Sequence, residues 1–149
     1  MVLENSFEVA APVEAAWELL TDVPAVVPCM PGAELLDERA GGTWKAKLNV
    51  KLGPIALQFL TDVRHQEVDE AARRIVLAAK AREARGRGNA QATIESRLSE
   101  ATGGTRVEIT TDVRLQGTVA QYGRGVVADV AARMTEQFAA CVARKLVAE

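Results

Sequence analysis

The sequence predicts an α+β fold in which a curved antiparallel sheet of about seven strands wraps around one long C-terminal helix, with two short helices after the first strand. Three observations lead there. Apolar and polar residues alternate through successive segments as far as Leu115, the period of half-buried strands. Turn signals built on Gly and Pro separate those segments. After Gly117 the period changes: about thirty residues from Val119 to Val147 contain no proline and carry a helical stripe, with Tyr122, Val126, Val130 and Met134 at every fourth position and Phe138, Cys141 and Lys145 continuing it. A helix apolar along one stripe must lay it against something, and the large surface available upstream is the strand region.

The elements follow in order. Leu3, Asn5, Phe7 and Val9 alternate with Glu4, Ser6 and Glu8 in a first strand with one wet face. Pro12 suits the first turn of a short helix whose apolar face is Val13, Ala16, Trp17 and Leu20 and which ends near Thr21-Asp22. Pro24 and Pro28 bracket a second brief helix or turn. Cys29-Met30-Pro31-Gly32 then forms a corner, because Pro31 disfavours helical backbone at Met30. A short strand at Ala33 to Leu36 leads to Trp44, Ala46, Leu48, Val50 and Leu52, alternating with Lys45, Lys47, Asn49 and Lys51. Gly53-Pro54 turns this strand into a partner with Ile55, Leu57, Phe59, Thr61 and Val63 on one parity. Ile75, Leu77, Ala79 and Ala81 form the next inner row, followed by Ala90, Ala92, Ile94, Ser96 and Leu98. Gly103-Gly104 precedes the last strand, which puts Val107, Ile109, Thr111, Val113 and Leu115 on one face. Short turns and the lack of any repeat or linker describe a single domain over residues 1–149.

Composition narrows the function. With 18 basic against 20 acidic side chains the net charge is -2, which argues against nucleic acid and against strong attraction to anionic lipid. Cys29 and Cys141 stand far apart in sequence with no metal-ligand spacing around them, so two free thiols, buried or half-buried, are expected and no metal site. His65 is the single histidine, read as a solvated or packing residue near a turn; no nucleophile, base or metal motif assigns a catalytic residue. The first residues lack a secretory pattern and no apolar run reaches the length of a membrane span, so the expected compartment is the cytoplasm.

The inner rows hold many small residues, Ala46, Ala79, Ala81, Ala90, Ala92 and Ser96, and the chain has only six aromatics. The volume between sheet and helix is then either closed by a nearer approach of the helix or left as an apolar cavity. Candidate ligand-binding residues around it are Trp44, Phe59, Leu77, Ala92, Tyr122, Val126, Val130 and Met134. Each also has an ordinary core reading, tryptophan being highly buried on average. Lys45, Lys47 and Lys51 read as a solvated strand face, with a docking surface for an acidic partner as the alternative. Gly123 and Gly125 weaken the start of the helix, marking either a portal or a helix that begins later.

Several segments carry a resemblance. They are Phe7-Glu8-Val9 with Pro12-Val13-Glu14-Ala15-Ala16-Trp17 and Leu20-Thr21-Asp22; Cys29-Met30-Pro31-Gly32-Ala33-Glu34-Leu35; and Gly117-Thr118-Val119-Ala120-Gln121-Tyr122-Gly123 with Gln137-Phe138. With the element order they resemble the helix-grip superfamily (START and Bet v 1-like, SRPBCC) and, within it, the CoxG family of carbon monoxide dehydrogenase. The resemblance implies a noncatalytic accessory protein of a molybdenum-containing carbon monoxide dehydrogenase, associated with bringing that enzyme or its electrons to the membrane. Members often extend into a tail past the last helix; for the residues here, which end at Glu149, weak and transient bilayer contact is expected.

Coupling and cavity together suggest the ligand, a respiratory quinone (menaquinone or ubiquinone), with no covalently bound cofactor. The expected location is the cytoplasm, peripheral to the inner face of the cell membrane. Two other readings stand beside this one. One is a small helix-grip enzyme, a cyclase or hydrolase acting on an apolar substrate, which needs a titratable group facing the cavity. The other is a docking protein that recruits the dehydrogenase without a ligand.

Overall fold

The computed structural model describes residues 1–39 and 42–148. Strand β1 (Val2–Val9) is followed by helices α1 (Val13–Thr21) and α2 (Val23–Val26) and a single 3-10 turn, Val27–Cys29. Six strands come next: β2 (Ala33–Arg39), β3 (Thr43–Leu52), β4 (Ile55–Asp69), β5 (Arg74–Glu83), β6 (Asn89–Ala101) and β7 (Gly104–Gln116). A second 3-10 turn, Gly117–Gln121, leads into helix α3 (Arg124–Ala148). Glu149, the last residue of the expected domain, lies outside the described residues.

All strand pairs are antiparallel, and the order across the seven-stranded sheet is β1-β7-β6-β5-β4-β3-β2. From β2 to β7 each strand thus pairs with its neighbour in sequence, while β1 pairs with β7 and α1 and α2 carry the chain from β1 across to β2 at the opposite edge. The register turns the sequence parities into one continuous inner face. Leu48 stands opposite Phe59, Ala46 opposite Thr61, Ala79 opposite Ala92 and Ala92 opposite Val113. The same register places Phe7 opposite Val107 on β1 and β7. Register shifts between Leu35 and Asp37 and between His65 and Glu67 bend β2 and β4.

The outer face carries the charges. Lys45 reaches Asp62 at 3.8 Å and Lys47 reaches Glu34 at 3.4 Å, as expected of a solvated strand face. Arg74 pairs with Glu67 and Glu95, and Arg97 with Glu108 at 3.4 Å. Exposed pairs of this kind each contribute about 0–1 kcal/mol and mainly keep the face wet.

Among the glycines required by close approach, Gly88 and Gly117 meet at one crossing. A Cβ on Gly88 would stand 2.0 Å from the Gln116 carbonyl oxygen, and one on Gly117 would stand 2.8 Å from the Gly88 Cα. The β5–β6 loop and the exit of β7 touch backbone to backbone there, so Val119 can donate its N–H to the Arg87 carbonyl at 2.9 Å.

Three sequence expectations are corrected. The C-terminal helix does not begin at Val119: α3 starts at Arg124, and Tyr122 has extended backbone between the 3-10 turn and the helix. Gly123 precedes the helix, where glycine's poor helix propensity lets the path change direction. Pro12 sits at the cap position with extended backbone, one residue before the first helical turn. Cys29 and Cys141 are not free thiols but a disulfide, with Cα atoms 5.3 Å apart across 112 residues of sequence. The corner after α2 and the far part of α3 are brought together by the fold, which no local spacing could announce.

Candidate functional site

Helix α3 is gripped at one end only. Its C-terminal half enters the main core, where Val142 is 0% exposed among Val9, Val13, Ala16, Trp17, Leu20, Cys29, Ile75, Leu98 and Val107. Phe138 meets Phe7 edge to face with ring centroids 6.1 Å apart, and the disulfide joins the helix to the corner. The principal partners of α3 are β1, α1 and the Val27–Cys29 turn.

The N-terminal half is held differently. Val127, Val130, Ala131 and Met134 are half-buried, and Val126 is 44% exposed. The inner rows on the central strands share this condition: Leu77, Ala79, Ala81, Ala90, Ala92, Ile94, Val113 and Leu115 are all half-buried, whereas Ile75, Leu98 and Val107 beneath the docked half are buried. Apolar side chains on the central strands and on the first half of α3 are thus left partly open to solvent. A separate small core closes the other end, with Leu57, Phe59 and Val119 buried and Leu48, Val50, Leu52 and Tyr122 packed around them.

The candidate residues fall into three places. Phe59 and Tyr122 belong to that second core. Leu77 and Ala92 lie on the central inner face, and Val126, Val130 and Met134 on the loosely held half of α3. Trp44, 7% exposed, lies on β3 opposite Val63, with its ring edge-on to His65 at a centroid distance of 5.1 Å. Of the candidates only Ala92 borders either of two open depressions on the sheet, of about 410 and 340 Å³, which lie mainly among Lys45, Asp62, Lys80, Gln91 and Arg114 on the outer, charged face.

Two inner residues were missed at the sequence level. His65 is not at a turn but inside β4, and it continues the inner parity of Phe59, Thr61 and Val63. Burial holds its imidazole below the ordinary histidine pKa, partly offset by the nearby Thr21 carbonyl. Glu83 likewise continues the row of Leu77, Ala79 and Ala81, at 1% exposure. Its carboxylate accepts from the backbone N–H groups of Gln58 at 2.9 Å, Arg85 at 2.8 Å and Arg87 at 3.3 Å. The Gln58 amide is the largest influence holding its pKa below the usual glutamate value, against the opposing effect of burial. Extending the period-two rows by one residue would have found both.

No group of metal-ligating side chains and no helix long and apolar enough to cross a membrane occurs among the described residues.

Comparison with known structures places the architecture. A conserved protein from Geobacillus kaustophilus superposes with a TM-score of 0.85 at 19% identity, over 99% of this chain and 96% of that one. An aromatase/cyclase, ZhuI from Streptomyces sp. R1128, gives 0.67 at 18% identity over 98% and 93%. A START superfamily protein from Mycobacterium smegmatis gives 0.62 at 15% identity over 99% and 97%. At these identities the likeness concerns the fold, which is the START-like helix grip. Among curated proteins none matches the sequence significantly. The sequence profile of CoxG, a carbon monoxide dehydrogenase subunit, however, matches residues 6–147, and the chain belongs to that family.

Proposed function

We propose that this protein is a noncatalytic carrier that takes up a respiratory quinone between the inner face of the sheet and the first half of α3, coupling carbon monoxide dehydrogenase to the membrane. Family and fold support an accessory protein that binds a hydrophobic ligand. The observation that carries the reading further is the one-ended grip: apolar side chains on the first half of α3 and on the inner rows of β5–β7 remain half-buried, whereas those at the docked end are buried. An apolar guest removes that surface from water, at about 25 cal/mol per Å² covered. Electrons leaving the dehydrogenase must reach a lipid-soluble acceptor, and a helix that can yield at one end gives such a molecule a route in and out.

Native mass spectrometry of the protein purified from its host membranes tests the proposal, since a retained quinone is identified by its mass. The expected result is one ligand per chain, and Met134→Trp, which fills the space, should abolish retention without unfolding the protein. Protein that is ligand-free from quinone-replete membranes would overturn it.

A catalytic reading has one observation of its own, the inward imidazole of His65 in a fold shared with an aromatase/cyclase. A loss of dehydrogenase-to-quinone electron transfer of several hundredfold in folded His65→Ala would favour it, because removal of a mere packing group does not cost that much.

A further inference from the structure

The tip of the β3–β4 hairpin is a run of six uncharged residues, Leu52-Gly53-Pro54-Ile55-Ala56-Leu57. Gly53-Pro54 makes the turn, but no polar side chain accompanies it, and Gly53, Pro54, Ile55 and Ala56 are all exposed. Cations surround this tip. Lys51 stands opposite Ala56 across the strand pair, and the guanidinium groups of Arg85 and Arg87 both donate to the Ala56 carbonyl oxygen, at 3.2 and 3.0 Å. Among the described residues none of these three is in an ion pair. The antiparallel register brings the β3–β4 turn, the β5–β6 loop and the exit of β7 to one end of the sheet. Over residues 51–60, 82–89 and 116–128 the sequence holds five basic residues and one acidic one. That one, Glu83, is buried and its carboxylate is occupied by backbone N–H groups, with the charge of Arg87 a lesser influence on it. The turns at the far end carry Glu67, Asp69, Glu70 and Glu100, with Arg73 and Arg74 there held in ion pairs. A net charge of -2 thus conceals a molecule with one basic end.

We infer that this end is the surface that settles on a bilayer of anionic phospholipids, the apolar hairpin tip entering the headgroup region while Lys51, Arg85 and Arg87 meet the phosphates. An apolar tip or a basic patch alone binds a bilayer marginally; together they supply the two signals that hold a protein there reversibly. Arg85 and Arg87 keep further N–H donors after the one given to Ala56, and a guanidinium fork matches phosphate oxygens. The inference rests on the carrier reading above for its purpose and adds to it the face that meets the membrane. Tyr122 packs in the same small core as Leu52 and Leu57, two residues before α3 begins, so the loosely held start of that helix lies at this end.

Co-sedimentation of the full chain with quinone-free vesicles is the test. Phosphatidylcholine vesicles containing about 30% phosphatidylglycerol should bind at least about tenfold more tightly than phosphatidylcholine alone, and about 0.5 M sodium chloride should remove most of that preference. Lys51→Glu and Ile55→Asp should each weaken binding to the anionic vesicles by about fivefold or more. Lys80→Glu makes the same change of charge opposite Asp62, about 20 Å along β4 from Ala56, and should alter binding by less than about twofold. All three positions are exposed, so thermal unfolding should stay at the wild-type temperature. Equal losses in the three variants, or no preference for anionic vesicles, would overturn the inference. So would vesicles being ignored while purified dehydrogenase binds in a Lys51-dependent way, which would assign the basic end to an acidic protein surface. Because the vesicles hold no quinone, each of these failures leaves the carrier reading to its own test by native mass spectrometry.

Discussion

The two ends of α3 are the same helix under different conditions. At the C-terminal end Val142 is fully buried, Phe138 packs on Phe7 and a disulfide ties Cys141 to Cys29. At the N-terminal end Val126 is 44% exposed, and the inner residues of the central strands are only half-buried. Stability in such a molecule is uneven: the docked end belongs to the global fold, while the free end can open at much lower cost. The lesson is that one helix can be held tightly at one end and loosely at the other, with the boundary set by packing rather than by helix propensity.

The strongest way to break this contrast is to release the docked end. Removing the disulfide, by reduction or by Cys141→Ala, should lower the unfolding free energy by about 2–4 kcal/mol, since it closes a loop of more than a hundred residues. Urea unfolding with and without reductant measures it. An unchanged midpoint in protein shown by mass to be fully reduced would mean that packing alone holds the helix. Because disulfides are rare in reducing cytosol, thiol titration of protein taken directly from its host would also report the compartment it works in.

A gentler comparison uses two valines on one helix. Val142→Ala should cost about 2 kcal/mol, from lost burial and the cavity left behind, whereas Val126→Ala should stay within about 0.5 kcal/mol. Equal costs would show that the free end is docked in solution. The same variants sharpen the carrier reading in reverse, since Val126→Ala is expected to affect ligand retention more than Val142→Ala.

The smallest effect concerns the loop that closes the opposite end of the sheet. Glu83 has a folded pKa below its ordinary value, so the stability it contributes is present above the ordinary glutamate pKa and is lost as pH falls through the folded one. Glu83→Gln should therefore unfold at lower temperature than wild type near neutrality, and the two curves should converge as the solution is acidified through the glutamate range. A constant difference at all pH values would show that the amide cage around Glu83 responds to shape, not to charge.

The order of elements, the inner and outer rows and the tight turn at Gly53-Pro54 were legible in the chain because they are local: side chains alternate along a strand with period two, and a turn needs only its own residues. The resemblance carried by Cys29-Met30-Pro31-Gly32 and Gly117-Thr118-Val119-Ala120-Gln121-Tyr122 was likewise local, and the family match over residues 6–147 agrees with it. Other features depend on distance in space. That Cys29 meets Cys141, that Tyr122 joins the second core instead of the helical stripe, and that the rings of Trp44 and His65 meet edge to face are decided by how the sheet curls and where α3 lands. Periodicity says which way a side chain faces, but what it meets there is fixed only when residues far apart in sequence are packed together.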